Sequence, residues 1–197
     1  MSNSSTLPDR VRCSGARRFS LLRMLRRLAR RQDGATVVEF AAIIGPFIAW
    51  MFAIIEMALI FFAGQVLETA TADSARLIMT GQAQKQGFDQ AKFQEDVCSR
   101  LKAMFTCANV HIDVKKYDSF ESIDLSKPSY DEDKGELDTS EFNEFTPGKQ
   151  SEIVVVRIAY EWPTFVRGLI GLDYSSLPNG NHLLMATAAF RNEPYSN

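Results

Sequence analysis

The sequence predicts an α+β protein: a long N-terminal transmembrane helix continuing into a small domain with a second helix and an antiparallel sheet of three or four strands. The helix is read from an apolar run, Phe40 to Ala63, whose single charge is Glu56. At about 1.5 Å rise per residue this run is roughly 36 Å long, enough to cross a hydrocarbon core of about 30 Å. The sheet is read from Asn109–Lys116, which alternates with period two, and from Glu152–Glu161, whose unbroken apolar middle suits a central strand.

The elements follow in order. Residues 1–34 hold nine arginines (Arg10, Arg12, Arg17, Arg18, Arg23, Arg26, Arg27, Arg30 and Arg31) against Asp9 and Asp33. Such a basic leader beside a span marks the cytoplasmic side. The whole-chain net charge of −2 hides this segregation. A secretory signal has a shorter apolar core and a small-residue cleavage site after it. Here the run is longer, and Gly64-Gln65-Val66-Leu67-Glu68 continues in helical register, so the segment is expected to be retained.

The helical period runs on to Thr80, with Leu67, Ala70, Ser74, Leu77 and Ile78 near one stripe and Gly81 as the stop. A helix from about residue 36 to 80 would be roughly 67 Å long. Pro46, preceded by Gly45, removes one intrahelical hydrogen bond and commonly kinks a helix, a break that membrane helices tolerate. Glu56 lies roughly 25 Å along the axis from Glu39. It either sits near the outer interface or pairs with a neighbouring subunit.

Residues 82–197 carry 12 basic and 18 acidic side chains, net −6, and suffice for one modest core. Phe88–Phe105 reads as the second helix, with Phe88, Ala91, Val97, Leu101, Met104 and Phe105 at helical intervals. In the first strand Val110, Ile112 and Val114 point inward. His182–Arg191 is the third strand, although Leu183-Leu184-Met185-Ala186 also tolerates a helix. Residues 118–150, acidic and rich in Ser, Pro and Gly, are expected to form an extended surface loop. The greasy stretch Trp162–Leu172 either caps the core, contacts another subunit or lies on the membrane surface. The domain plan is a basic leader (1–34), a spanning helix with its amphipathic extension (35–81) and an α+β domain (82–197).

The junction of leader and span is the most specific feature. Gly34-Ala35-Thr-Val-Val-Glu39-Phe40 resembles the processing site of tight-adherence (Flp) pilins and pseudopilins. Gln65-Val-Leu-Glu-Thr-Ala-Thr-Ala-Asp-Ser-Ala-Arg76, Thr80-Gly-Gln-Ala-Gln84 and the terminal Phe190-Arg-Asn-Glu-Pro-Tyr195 resemble the TadE-like proteins of the same pilus machines. The resemblance is weaker through residues 108–180. It implies a pilin-like fold and a structural role as a minor pilin or pseudopilin in assembling the fibre. It also implies cleavage after Gly34 by a prepilin peptidase, which would leave Ala35 as a new cationic terminus at the membrane face. A neighbour's Glu39 could pair with that terminus, since a paired carboxylate in lipid costs less than a lone one. Glu39, Pro46 and Glu56 are the candidate assembly residues.

The partners implied are the prepilin peptidase, other pilin and pseudopilin subunits, an inner-membrane assembly platform and the lipid bilayer. The location implied is the bacterial inner membrane, single-pass, with the N-terminus cytoplasmic and the C-terminal domain periplasmic or carried into a pilus. The rival reading is an uncleaved single-pass anchor presenting a periplasmic binding or scaffolding domain.

Cys13 lies in the leader. Cys98 and Cys107 lie in the part expected to face an oxidising compartment, and a disulfide there would tie the second helix to the first strand. The alternative is two buried free thiols. No catalytic site, metal site or cofactor is expected. His111 and His182 lack the short spacing of zinc motifs. Asp131-Glu-Asp-Lys-Gly135 approximates a calcium loop, but its glycine comes one place early and the closing glutamate is missing. No phosphate-binding glycine loop or nucleophile elbow is present, and no basic surface outside the leader suits nucleic acid.

Overall fold

A computed structural model describes residues 35–124, 126, 128–131, 134–142, 144–167, 171 and 173–194. The arginine-rich leader, with Cys13 and Gly34, lies outside the described residues, as do Leu169, Ile170, Leu172 and Tyr195. The chain forms two compact units, meeting between Phe47 and Ile48. Of the first, the described part is the opening of helix α1 (Ala35–Met79), which includes Pro46. Its apolar side chains Val37, Phe40, Ile43 and Phe47 are exposed.

The second unit holds the rest of α1, a single turn α2 (Gln82–Lys85), α3 (Gln90–Leu101), and strands β1 (Val110–Tyr117), β2 (Ile153–Trp162) and β3 (His182–Arg191). The strands form one antiparallel sheet in the order β1-β2-β3. The fold class is therefore α+β, a long apolar helix followed by a small domain with a helix and a three-stranded sheet. Helix α1 ends where the sequence places its stop. Gly81 takes a left-handed φ of 73° that a glycine adopts without strain, and its N–H bonds the Ile78 carbonyl at 3.0 Å. The second helix begins later than the periodicity suggests because Asp89 caps it, its side chain accepting from the Lys92 N–H at 2.8 Å.

One face of the sheet carries the main core. Val110, Ile112, Val114, Val154, Val156, Ile158, Tyr160, Leu184 and Ala186 pack with Phe93, Val97 and Leu101 of α3 and with Ala63, Leu67, Ala70, Ala75 and Ile78 of α1. Ala53, Glu56, Ala63, Leu67, Ala70, Ser74 and Ile78 of α1 are buried at a three-four spacing that keeps one seam toward the domain, with buried Thr71 and Ala75 beside it. Ser74 adds a hydrogen bond to Asp96 of α3 at 3.3 Å, and Arg100 of α3 reaches Asp73 at 3.6 Å.

The opposite face is covered too, which departs from the half-buried strand expected for β1. Leu137 and Phe142 pack on Ala159, and residues 144–146 pair with the outer edge of β1 through Val114 N–H to Glu144 O (2.9 Å) and Thr146 N–H to Val114 O (2.7 Å). Part of the acidic segment thus forms a third layer. Its turn at Gly135 has φ 68°, and a Cβ there would lie 2.8 Å from the backbone nitrogen of Asn179.

Candidate functional site

The candidate assembly residues fall into two environments on α1. Ala35, one place after Gly34, is the first described residue and is helical. Glu39 and Phe40 are exposed, and among the described residues Glu39 makes no hydrogen bond or ion pair. Pro46 lies inside the helix, where its missing N–H opens one bond of the ladder. Around and beyond it the exposed side chains are almost all apolar: Trp50, Phe52, Ile54, Ile55, Leu59, Phe61 and Phe62. One helix is thus long and apolar enough to cross a membrane, and the chain fits a single-pass membrane protein.

Glu56 is different. Only 5% of it is exposed. Its carboxylate accepts hydrogen bonds from two consecutive backbone N–H groups in the turn after β2: Phe165 on Oε1 and, at 3.0 Å, Val166 on Oε2. The charge that the sequence leaves between the outer interface and a neighbouring subunit is turned into its own chain. Bonds of this kind, with an ionised acceptor, are about twice as strong as neutral ones. They also satisfy backbone donors that a non-helical segment would otherwise leave open.

The greasy stretch after β2 divides accordingly. Trp162 ends β2 and meets Phe105 edge-on at 5.9 Å, and Val166 is buried. Phe165, between them in the chain, is 68% exposed. Thr164 donates from Oγ1 to the Gly180 carbonyl at 2.6 Å, which ties the turn to the segment leading into β3.

The C-terminal Arg-Asn-Glu-Pro segment closes the domain. Asn192 is buried, and its Nδ2 donates to the carbonyls of Pro147 (3.0 Å) and Lys149 (2.9 Å). The Glu193 N–H donates to the carbonyl of Met79, the last residue of α1, at 2.9 Å. A carbonyl left open at a helix C-terminus is thereby satisfied by the other end of the chain. Cys98 and Cys107 are joined in a disulfide, their Cα atoms 5.7 Å apart, linking α3 to the start of β1.

Two polar groupings on the second face of the sheet went unseen in the sequence. Asp113 and Arg157 are direct cross-strand partners. Asp113 is 1% exposed; its Oδ2 accepts from Arg157 Nη2 at 3.0 Å and from Lys115 Nζ at 3.1 Å. The visible signal was Asp113 in the middle of the first strand and Arg157, which breaks the apolar middle read for the second. Glu161 accepts from the Leu137 N–H (2.7 Å), Asn179 Nδ2 (2.8 Å) and Asn181 Nδ2 (3.0 Å). Burial pushes its carboxyl up, but those hydrogen bonds and nearby His111 outweigh it and hold the group below its ordinary value. Burial lowers the His111 imidazole, against an opposing pull from Glu161.

These groups hold loops to the sheet. Among the described residues no cluster of three or more His, Cys, Asp or Glu side chains is placed to hold a metal ion. A shallow hollow beside β3 is lined by Ser126, Arg157, Met185, Thr187 and Ala189, and the one charge there is already bound to Asp113.

Neither curated proteins nor solved structures include a match to this chain. A family model described as TadE-like protein matches residues 34–76. The match starts at Gly34 and ends three residues short of the end of α1, leaving the sheet and the terminal Arg-Asn-Glu-Pro outside it. Over residues 34–76 the chain is similar to TadE-like proteins.

Proposed function

We propose that this chain is a TadE-like minor pilin or pseudopilin that acts structurally in assembling a tight-adherence pilus. The TadE-like match suggests a role related to pilus assembly and interaction with other pilus subunits. The observation that carries the proposal is the coincidence of two boundaries. The match opens at Gly34, and the arginine-rich leader ends just before it.

In this reading the leader stays in the cytoplasm by its positive charge, and a prepilin peptidase cuts after Gly34. The freed amino group at Ala35 is a cation next to the membrane. Glu39, five residues after Gly34 and exposed, is the carboxylate available to a neighbouring subunit's terminus. The C-terminal domain lies in the periplasm, where the Cys98–Cys107 bond persists. The exposed apolar flanks of α1 lie against lipid or against other subunits' helices. The assembly platform and peptidase are the inner-membrane partners. The protein makes and breaks no bond itself.

N-terminal sequencing of the mature protein, from cells with an active prepilin peptidase, tests this directly. A mature chain beginning at Ala35 supports it. Full-length protein at steady state refutes processing and favours the uncleaved anchor with a periplasmic binding or scaffolding domain. Glu39→Ala should leave membrane insertion intact and impair fibre assembly; normal pili in that variant would remove Glu39 from the assembly role.

A further inference from the structure

We propose that the turn Pro163–Val166 rests on the membrane at the level where α1 emerges, with Phe165 inserted at the boundary between headgroups and acyl chains. The proposal rests on the reading of α1 as a membrane span.

Its first support is depth. About twenty helical residues fill a hydrocarbon core of about 30 Å. Counted from Phe40, where the apolar run opens, the twentieth residue is Leu59, so Glu56 lies within one turn of the outer edge. The chain's one acid within the apolar run therefore falls at the edge of the hydrocarbon, where a charge is tolerated far better than at the centre.

Its second support is the clamp. Glu56 holds the N–H groups of Phe165 and Val166, so the turn is fixed to the helix at that same level. Non-helical backbone is excluded from lipid depth unless its polar groups are satisfied by protein. Two N–H groups of this turn, those of Phe165 and Val166, meet the condition. Proline at 163 has no N–H to satisfy, the Thr164 hydroxyl bonds the Gly180 carbonyl, and the next two N–H groups bond Glu56.

Its third support is the surface. Phe165 points away from the core while Val166 beside it is buried. On α1, Ile55, Leu59, Phe61 and Phe62 are exposed at and just beyond the level of Glu56. The headgroup layer adds roughly 5–8 Å on each side of the hydrocarbon, and residues 60–64 cover about that rise. Phe165 extends this apolar surface sideways from the helix. A bilayer is the partner that meets the helix and the turn at one depth.

Single-tryptophan versions of the full chain in nanodiscs holding one copy each would test the proposal. Trp50 alone (W162F) reports the span; W50F/W162F/F165W places a tryptophan on the turn; W50F/W162F/T187W places one on the sheet face. Lipids brominated near the headgroup should quench the tryptophan at 165, lipids brominated near the chain terminus should quench it less than Trp50, and position 187 should keep its fluorescence with both. Quenching of Trp50 without quenching at 165 overturns the proposal and leaves the span intact, assigning Phe165 to contact with another subunit. Loss of quenching at both overturns the span and the proposal together. An unchanged disulfide and circular dichroism spectrum verify that each variant is folded.

Discussion

Replacing Glu56 with alanine should release the turn at Phe165 and Val166 without unfolding the domain. A hydrogen bond to a charged group contributes about 1.5–3 kcal/mol net, and a buried donor left unpaired costs about 1–3 kcal/mol. Val166 is buried and takes the full effect, whereas Phe165 is exposed and its freed N–H regains water. The combined loss is therefore about 3–4 kcal/mol. At about 1.4 kcal/mol per factor of ten, the amides of Phe165 and Val166 should exchange with solvent deuterium roughly two to three orders of magnitude faster. The effect should stay local, because sub-global opening of a turn leaves the core in place. Hydrogen exchange read by mass spectrometry on peptides covering 162–167 measures it. Glu56→Gln should fall between, since an amide keeps one acceptor oxygen but sets its own N–H₂ against the second donor. Glu68→Ala is the control: Glu68 is exposed on the same helix and takes only a 3.3 Å bond from Gln65. Exchange at Phe165 and Val166 as slow in Glu56→Ala as in Glu68→Ala would refute the clamp.

Asp113→Ala strands the buried Arg157 and should destabilise the domain by about 3–5 kcal/mol in denaturant unfolding, whereas replacing both partners with apolar residues should recover most of the loss. The double Cys98→Ser/Cys107→Ser variant should lose about 2–3 kcal/mol, the loop-closure entropy for a separation of 9 residues, and wild type unfolded under reducing conditions should match it. Stability should also fall with acid in two stages. His111 is lowered in the fold, so below its ordinary value of 6.5 the unfolded chain takes the proton first, and stability drops until the folded pKa is passed. Glu161 is lowered as well, so its contribution is complete above the ordinary value of 4.5 and is lost as pH falls through the folded pKa. Denaturant midpoints across pH should lose the first stage in His111→Gln and the second in Glu161→Gln.

Local pattern made the elements legible. The third strand spans His182–Arg191, the bounds read from the sequence, despite its helix-tolerant Leu-Leu-Met-Ala. Pairing with β2 along its whole length decides that ambiguity, which no local propensity could. The helix stop at Gly81 was equally legible, because a left-handed residue at a helix end is a local requirement. The illegible features join distant residues. Glu56 meets the turn 109 and 110 positions away, Asp113 meets Arg157 44 away, and Asn192 meets Pro147 45 away. A period of two or 3.6 reports which face a side chain takes, but not what covers that face. By its period Asp113 belongs to the outward face, yet it is 1% exposed there, on the face where Leu137 and Phe142 pack.

The same distinction explains how one helix serves both lipid and protein. In the domain-facing seam of α1 the residues are mainly small, Ala53, Ala63, Ala70, Ser74 and Ala75, with Leu67 and Ile78 the large exceptions. Around them, Phe52, Ile55, Leu59, Phe61 and Phe62 stay exposed. A helix packed only by burial of bulk would place those aromatic side chains in the seam, where each buries far more area than an alanine. Their outward placement keeps that bulk for another apolar surface. Glu56 stands in that seam between Ala53 and Ala63 and supplies by hydrogen bonding what small side chains there do not supply by area. A buried carboxylate is a costly way to fasten a turn unless the turn's own backbone needs an acceptor, as the N–H of buried Val166 does.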